Sequence, residues 1–538
     1  MHAPMHAATA NPHATITTAA RAAPSSRRRL ALPLAHRILL TLALPPVELL
    51  VELTGRRYRS FLALVRTTPP WLLATLGRWR ARRTYEHARR RVPAYAAFLA
   101  ERAGATTDPV RLRLPETDKD GYVRRWTIPE RCVGGELPLR GVAIDESSGS
   151  TGTPHNWVRT HEERAVTHLL ISHFARHCYG GEPWITVNAY SMGAWATGVN
   201  LGIALQRESL VKCTGPDVDK ILSTLEVFGS GRRYLVCGYP PFLKRLIDAA
   251  VERGFPLADY RLAGLVGGEG MSEGLRDYLH RRFEVVYSGY GATDLEIGMA
   301  GETPLSVAVR RAARDDEGLR RALFGDDQRL PMLFQYNPLS HHVTVNQAGE
   351  LVVTITRRNL LSPRIAYNVG DEGGVATYRE LAERARAAGV DLAGLAGADG
   401  PATLRLPFLW VFGRKDSTVS VMGANLYPED VEQALYAEPE LAAVTNSFCL
   451  GVVDDEDANP RPCFAFEVRH PITPALRQGF ERRIIARVEA MNADFREAMR
   501  EHAAVARPLV ELHPLGGGPF AADGGRIKQT RLLRAGRG

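Results

Sequence analysis

Glu146-Ser147-Ser148-Gly149-Ser150-Thr151-Gly152-Thr153-Pro154 (ESSGSTGTP) is the stretch on which the reading of the fold turns. It lies between two short apolar runs within 141–159, so the pattern reads strand, loop, strand. Its hydroxyls and unhindered backbone N–H groups can wrap phosphate oxygens without a side-chain barrier. The GxxxxGK[ST] order and its lysine are missing, which excludes a Walker loop. Ser/Gly/Thr clusters also form plain surface turns, so the stretch alone leaves both readings open.

Working outward, 160–178 has helical spacing, and so do 240–253 and 272–283, the last with Ser272 as a cap. β-rich segments such as Glu284-Val285-Val286-Tyr287 follow these helices, and the alternation predicts an α/β architecture. Leu351-Val352-Val353-Thr354-Ile355-Thr356 is a strand by its β-branched alternation. The spacing predicts a surface helix over 378–388 and a Gly/Ala-rich loop over 393–401. A domain boundary is expected near Gly413. Beyond it, Pro428 opens a helix over 427–436 and Cys463-Phe464-Ala465-Phe466-Glu467-Val468 is strand-like, so 413–538 reads as a small α+β unit. Upstream, 79–100 has helical punctuation with Pro93 opening a new turn.

At 538 residues the chain can bury a large core in two or three domains. Lys+Arg 68 against Asp+Glu 59 leaves a charge of +9, which suits anionic ligands. No aromatic-interleaved basic cluster or finger spacing supports nucleic-acid binding. Cys132, Cys178, Cys213, Cys237, Cys449 and Cys463 form no CxxC pair, as expected of a reduced, cytoplasmic protein without structural zinc.

The amino terminus stands apart. No acidic residue precedes Glu48, and Ser25-Ser26-Arg27-Arg28-Arg29 leads into an apolar stretch, a composition that transit peptides share. A disordered tail, a true start further downstream, and contact with an anionic surface compete with targeting. The uncharged run 38–47 contains Pro45 and Pro46 and falls well short of the ~20 residues that span a bilayer, so no transmembrane helix is expected. Residues 1–80 read as a tail and an amphipathic helical extension that leaves peripheral membrane contact open.

SSGSTGTP closely resembles the phosphate-binding loop of the adenylate-forming superfamily, which includes acyl-CoA synthetases, luciferases and peptide-synthetase adenylation domains. Further segments follow in the superfamily's order. Gly267-Gly268-Glu269 and Tyr287-Ser288-Gly289-Tyr290-Gly291-Ala292-Thr293-Asp294 resemble its adenine-binding GGE and its YGxTE element. Tyr367-Asn368-Val369-Gly370-Asp371 resembles YxTGD. Gly413-Arg414-Lys415-Asp416, with Gly423-Ala424-Asn425-Leu426-Tyr427-Pro428 and Glu432, resembles GRxDD…GxNxxPxxIE at the start of the small domain. Val92-Pro93-Ala94-Tyr95, Thr117-Asp118-Lys119 and Asn188-Ala189-Tyr190 before Thr197-Gly198 look like the phenylacetate-CoA ligase branch. The similarity runs from about Tyr85 to the end and leaves the first eighty or so residues unexplained.

The resemblance implies a large multi-layer N-terminal domain of β-sheets and helices over 81–412 and a small mobile α+β domain over 413–538. It implies an ATP-dependent ligase that adenylates an aryl or acyl carboxylic acid and hands it to coenzyme A. Loading of an acyl carrier protein or an amine, and a catalytically inactive nucleotide-binding homologue, are the alternatives. Attack of a carboxylate on the α-phosphorus accumulates negative charge, so fixed donors, Mg²⁺ and a lysine fit the chemistry.

By resemblance, Ser147, Ser148, Gly149, Ser150, Thr151, Gly152 and Thr153 hold the β- and γ-phosphates. Tyr290 stacks on adenine beside Gly268, Glu269 and Gly291. Thr293 reaches the α-phosphate, Asp371 holds the ribose hydroxyls, and Arg414 ties the nucleotide to the small domain. Asp294 stands where the family has Glu and would serve Mg²⁺ through a water, with Glu296 as a second candidate. Ser417 replaces the second Asp of GRxDD, while Asp416 keeps the hinge position. Lys528, with Arg531 three residues on, matches the family's terminal lysine, although Ile527 precedes it, Arg526 is an alternative occupant, and a plain soluble tail is the competing reading. Tyr190 and Trp195 are apolar walls of an acid pocket within 188–205 or simple packing.

Overall fold

The computed structural model describes residues 31–533 other than 103, 105–106, 148–154, 195, 328, 359, 396–402, 415–418, 422–423, 455–459 and 524–531. Strands β1 (Val142–Glu146) and β2 (Asn156–Thr160) form an antiparallel hairpin around the hydroxyl-rich loop, with Glu146 opposite Asn156. The helix His161–Tyr179 follows at once, because Thr160 and Glu163 close a capping box across its first turn.

Strands β3 (Ile185–Asn188), β4 (Leu210–Cys213), β5 (Arg233–Gly238), β6 (Arg261–Gly267) and β7 (Phe283–Tyr290) build a parallel half-sheet. β3, β5 and β6 are mostly buried along their length, as strands covered on both faces require, while β4 (LVKC) is the exposed edge. The helices Val218–Phe228, Pro240–Glu252 and Glu273–Leu279 are among the crossovers. An antiparallel half continues the sheet through β8 (Ala300–Gly301), β9 (Met332–Tyr336), β10 (His341–Val345), β11 (Glu350–Ile355), β12 (Tyr367–Ala376) and β13 (Phe408–Arg414). The eleven strands run in the order β10-β11-β12-β13-β9-β8-β7-β6-β5-β3-β4.

A second core begins at Val419. The short hairpin β14 (Val419–Val421) and β15 (Ala424–Leu426) leads into the helix Pro428–Tyr436. A four-stranded sheet then forms from β16 (Thr445–Asp454), β17 (Pro460–Val468), β18 (Leu509–Pro514) and β19 (Leu532–Leu533), in the order β18-β17-β16-β19. The helices Pro474–Met491 and Ala493–Ala506 accompany it, and Leu435, Phe448, Phe466 and Phe480 share its core. This small α+β unit docks on the large one through polar contacts. The Ser272 N–H donates to Glu432 at 2.9 Å, the Lys244 ammonium donates to the Thr445 carbonyl at 2.8 Å, and Arg469 pairs with Asp248 at 2.8 Å.

The strand β7 is braced from beneath. Arg276, fully buried, donates to Glu273, to Glu302 and to the Val286 carbonyl, and Glu302 in turn accepts the Ser288 N–H at 2.8 Å.

In the amino-terminal extension the helix runs well beyond the uncharged stretch 38–47. Leu34–Gly55 is a single helical run of 22 residues that passes through both prolines and is long and apolar enough to cross a membrane. Pro45 and Pro46 do not end it: they sit in the first turn of the helix Leu44–Gly55, directly after a π-helical turn over Leu39–Ala43, where a missing N–H costs little. One face of the run lies on the protein. Leu40 and Leu44 are buried, and Glu48 pairs with Arg80 and Arg83 on the next long helix, Pro70–Arg91.

Candidate active site

The parallel strands deliver two of the sequence motifs to one edge, since Gly267 at the end of β6 pairs with Gly289 at the end of β7. Open α/β sheets bind ligands at this carboxyl edge. Gly268 holds a φ of 82°, a left-handed conformation that glycine adopts without strain. A Cβ on Gly291 would lie 2.5 Å from the Glu296 carbonyl, so the turn after Tyr290 closes tightly only with glycine there. Glu269, the third member of its motif, is half-buried in the turn that leads to the helix Glu273–Leu279.

The Tyr290 ring stacks on Phe334, with centroids 5.5 Å apart, and its hydroxyl donates to Asp371 Oδ2 at 2.7 Å. Asp371 lies opposite Arg414 in the β12–β13 register. The residues assigned to adenine, to ribose and to the bridge with the small domain therefore meet at one place. Ser147 closes the base of the hairpin: its N–H donates to the His155 carbonyl, and its hydroxyl accepts the His155 N–H, each at 3.0 Å. Ser148 to Thr153, Trp195, Asp416 and Lys528 lie outside the described residues, as does the side chain of Arg414.

Sequence reading missed the residue that joins the hairpin to the Thr293–Asp294 turn. Arg159, buried on β2, donates to Asp145 and to the carbonyls of Thr293 and Leu295, all at 2.6 Å. Thr293 is thereby held half-buried between the phosphate-loop hairpin and the end of β7. Asp294 is also positioned by residues assigned no such role: Lys119 lies 3.1 Å from its Oδ2, and the Tyr367 hydroxyl donates to the same oxygen at 2.9 Å. Burial, with the Asp294 carboxylate beside it, pushes the Tyr367 hydroxyl far up, so it remains a donor. Both contacts fall on Oδ2.

Glu296, the second Mg²⁺ candidate, has a different part. It is buried against Arg357, His341 and the Thr167 hydroxyl. Burial alone would raise its carboxyl, but Arg357 and His341 outweigh that and hold it at about 2. Its charge is spent inside the protein, in a cluster that packs the helix His161–Tyr179 against the sheet.

Beside this edge lies an apolar cavity of about 170 Å³. Gly267, Gly289 and Tyr190 border it, and Tyr190 is fixed edge-on to Tyr239 with centroids 5.0 Å apart. The far wall comes from the extension, whose helix Tyr58–Thr67 contributes Tyr58, Phe61 and Leu62. His177, in the same wall, faces the Tyr58 hydroxyl at 3.5 Å, and burial, aided by Arg66, depresses its pKa to about 4. The folded state thus holds His177 neutral, whereas the unfolded chain protonates it near 6.5. The resulting stability is complete above about pH 6.5 and drains away as pH falls toward 4. Hydrogen exchange corrected for intrinsic rates should show the helix Tyr58–Thr67 opening more readily at pH 4.5 than at pH 7.5. A His177→Leu variant should lose that difference, and equal protection of the wild type at both pH values would refute the assignment.

Solved structures with the same architecture include 2-hydroxyisobutyryl-CoA ligase in its postadenylation state, bound to R3-HIB-AMP or to 2-HIB-AMP. The TM-scores are 0.63 and 0.61 at 15% identity, over 87% of this chain and 91% of that one. This is the adenylate-forming fold. The same ligase with 2-HIB-AMP and CoA in its thioesterification state superposes with a TM-score of 0.50, at 15% identity over 87% and 90% of the two chains. A scan of protein-family models and a search of curated proteins return no match. Within the adenylate-forming fold, the large sheet carries the 267–269 and 287–294 segments at its carboxyl edge, and the four-stranded unit is the small domain.

Proposed function

We propose that this chain is an ATP-dependent acid–thiol ligase of the phenylacetate-CoA ligase-like type. The observation that carries the reading is the meeting of Gly268, Tyr290 and Asp371 at one sheet edge, with the Ser147 hairpin held to Thr293 by Arg159 and an apolar cavity alongside. An acid in that cavity presents its carboxylate to the α-phosphorus of ATP. The new P–O bond forms as the bond to the pyrophosphate leaving group breaks, giving acyl-AMP and pyrophosphate. The thiol of coenzyme A then attacks the acyl carbon and AMP leaves. Lys528 is assigned to the first step, and Asp416 is assigned as the pivot on which the small domain turns between steps.

Mg²⁺ accompanies the nucleotide. Held by the phosphates and by water, the ion would have the Asp294 carboxylate as an outer contact. Its chemistry there is charge neutralisation on the phosphates. Incubation with an acid, ATP, Mg²⁺ and coenzyme A, followed by mass spectrometry, tests the reading: acyl-CoA and AMP should form together. AMP and product only with a carrier protein or an amine would move the acceptor, and neither product with any acceptor would reject the ligase.

We further place the protein in the cytoplasm with its extension against an anionic membrane surface. Leu34, Leu42 and Leu50 are more than 60% exposed on the run Leu34–Gly55, and Arg56, Arg57 and Arg59 follow it. Each leucine transferred to lipid contributes about 1.5–3 kcal/mol. Sedimentation with phosphatidylserine-containing vesicles should retain the wild type, and Leu42→Asp/Leu50→Asp should reduce retention at least about tenfold on that arithmetic. Equal retention of the two proteins would contradict the placement.

A further inference from the structure

The extension, which no nucleotide motif explains, is built into the cavity. Phe61 stacks on His173 with centroids 5.1 Å apart, and His173 Nε2 lies 2.8 Å from the Gly55 carbonyl, so the start of the helix Tyr58–Thr67 is fastened to the helix His161–Tyr179. Val65 on the same helix is buried with Leu404 and Leu406, and those two leucines also line the cavity. The wall is therefore packed on both sides.

Two properties of the cavity bear on what it holds. Its volume of about 170 Å³ is close to the ~150 Å³ of an apolar protein cavity that accepts benzene, so it has room for one ring and a short substituent. Among the described residues that line it there is no Asp, Glu, Lys or Arg, and its polar groups are imidazoles, amides and hydroxyls such as His177, Gln335 and Asn337, so a second charge on the ligand would be desolvated without a Lys or Arg to pair with. The lining also includes Gly267, Gly268, Gly289 and Gly291, the edge at which the 267–269 and 287–294 motifs meet. A ligand seated there points its only charged end toward the glycines and its body toward the extension.

Resting on the ligase reading, we infer that Tyr58, Phe61 and Leu62 are specificity-determining residues of the acid site, and that the acid is compact, apolar and singly charged, about the size of one aromatic ring. The extension thereby sets which acid is activated, while the motifs of the large domain set how.

The test is acid-dependent pyrophosphate exchange by the full chain and by Leu62→Trp and Phe61→Ala variants. The panel comprises propanoate, hexanoate, benzoate, phenylacetate, hexadecanoate and terephthalate, with ATP binding measured in parallel. The wild type should favour the ring-sized acids over hexadecanoate and over the dicarboxylate by at least about tenfold, the discrimination that one or two methylenes or an unpaired polar group commands. Leu62→Trp should lower kcat/KM for the ring-sized acids about tenfold or more and shift the preference toward propanoate, while Phe61→Ala should shift it toward longer acids. Both variants should bind ATP as the wild type does, which shows them folded. An unchanged acid profile in both variants, or a wild-type preference for hexadecanoate or terephthalate, overturns the inference and leaves the ligase reading standing. ATP binding with no exchange on any acid overturns both.

Discussion

Replacing Asp371 with alanine should lower kcat/KM for ATP by roughly 10²- to 10⁴-fold, because hydrogen bonds to a charged acceptor are worth about 1.5–3 kcal/mol each and the proposed site offers two ribose hydroxyls to one carboxylate. The carboxylate is already in place to receive them, since Tyr290 holds its Oδ2 at 2.7 Å. Tyr290→Phe removes the hydroxyl that positions Asp371 and keeps the ring and the carboxylate, so it should cost about tenfold or less. Steady-state kinetics with ATP as the varied substrate distinguishes the two. A mild Asp371→Ala phenotype beside a severe Tyr290→Phe one would move the ribose contact elsewhere.

The second large effect is on stability. Arg276→Met keeps the volume of the side chain but leaves the Glu302 carboxylate without its ion-pair partner at zero exposure, and Glu273 with Arg310 and Arg311 alone. Breaking a buried ion pair by removing one partner costs about 3–5 kcal/mol. In a chain of 538 residues, with an unfolding entropy of about 2.1 cal/mol/K per residue, that corresponds to a fall in melting temperature of roughly 3–5 °C. Because Glu302 also accepts the Ser288 N–H, the loss should loosen β7 and with it Tyr290. The double variant Arg276→Met/Glu302→Gln should recover part of the loss, since the uncompensated charge is gone. Equal melting temperatures for Arg276→Met and the wild type would show that the cluster does not brace the sheet.

Local pattern made much of this legible. Ser272 before its helix and Pro428 at a first turn are short-range signals, and the helices Glu273–Leu279 and Pro428–Tyr436 begin where they predict. The motifs at 267–269, 287–294 and 367–371 were legible because each is contiguous, and β6, β7 and β12 carry them. The contacts that orient the site were not. Arg159 reaches carbonyls more than 130 residues away, and Lys119 and Tyr367 converge on Asp294 from opposite sides of the chain, so no window of sequence contains them. Glu296 looked interchangeable with Asp294 as a carboxylate two residues on. Both carboxylates are buried, and what separates them is their partners: Arg357 and His341 for Glu296, Lys119 and Tyr367 for Asp294. The helix in the extension is longer than the ten-residue uncharged run 38–47 suggests, because it continues past Arg37 and Glu48 and a π-helical turn leads it into Pro45 and Pro46.

The central claim is that an acid is activated on ATP at the edge of β6 and β7. Exchange of labelled pyrophosphate into ATP, run with and without a carboxylic acid in the presence of Mg²⁺, tests it most directly. Label should enter ATP only when a suitable acid is present and should fall to background in Asp371→Ala. Tight ATP binding with no acid-dependent exchange across aromatic and aliphatic acids would contradict it.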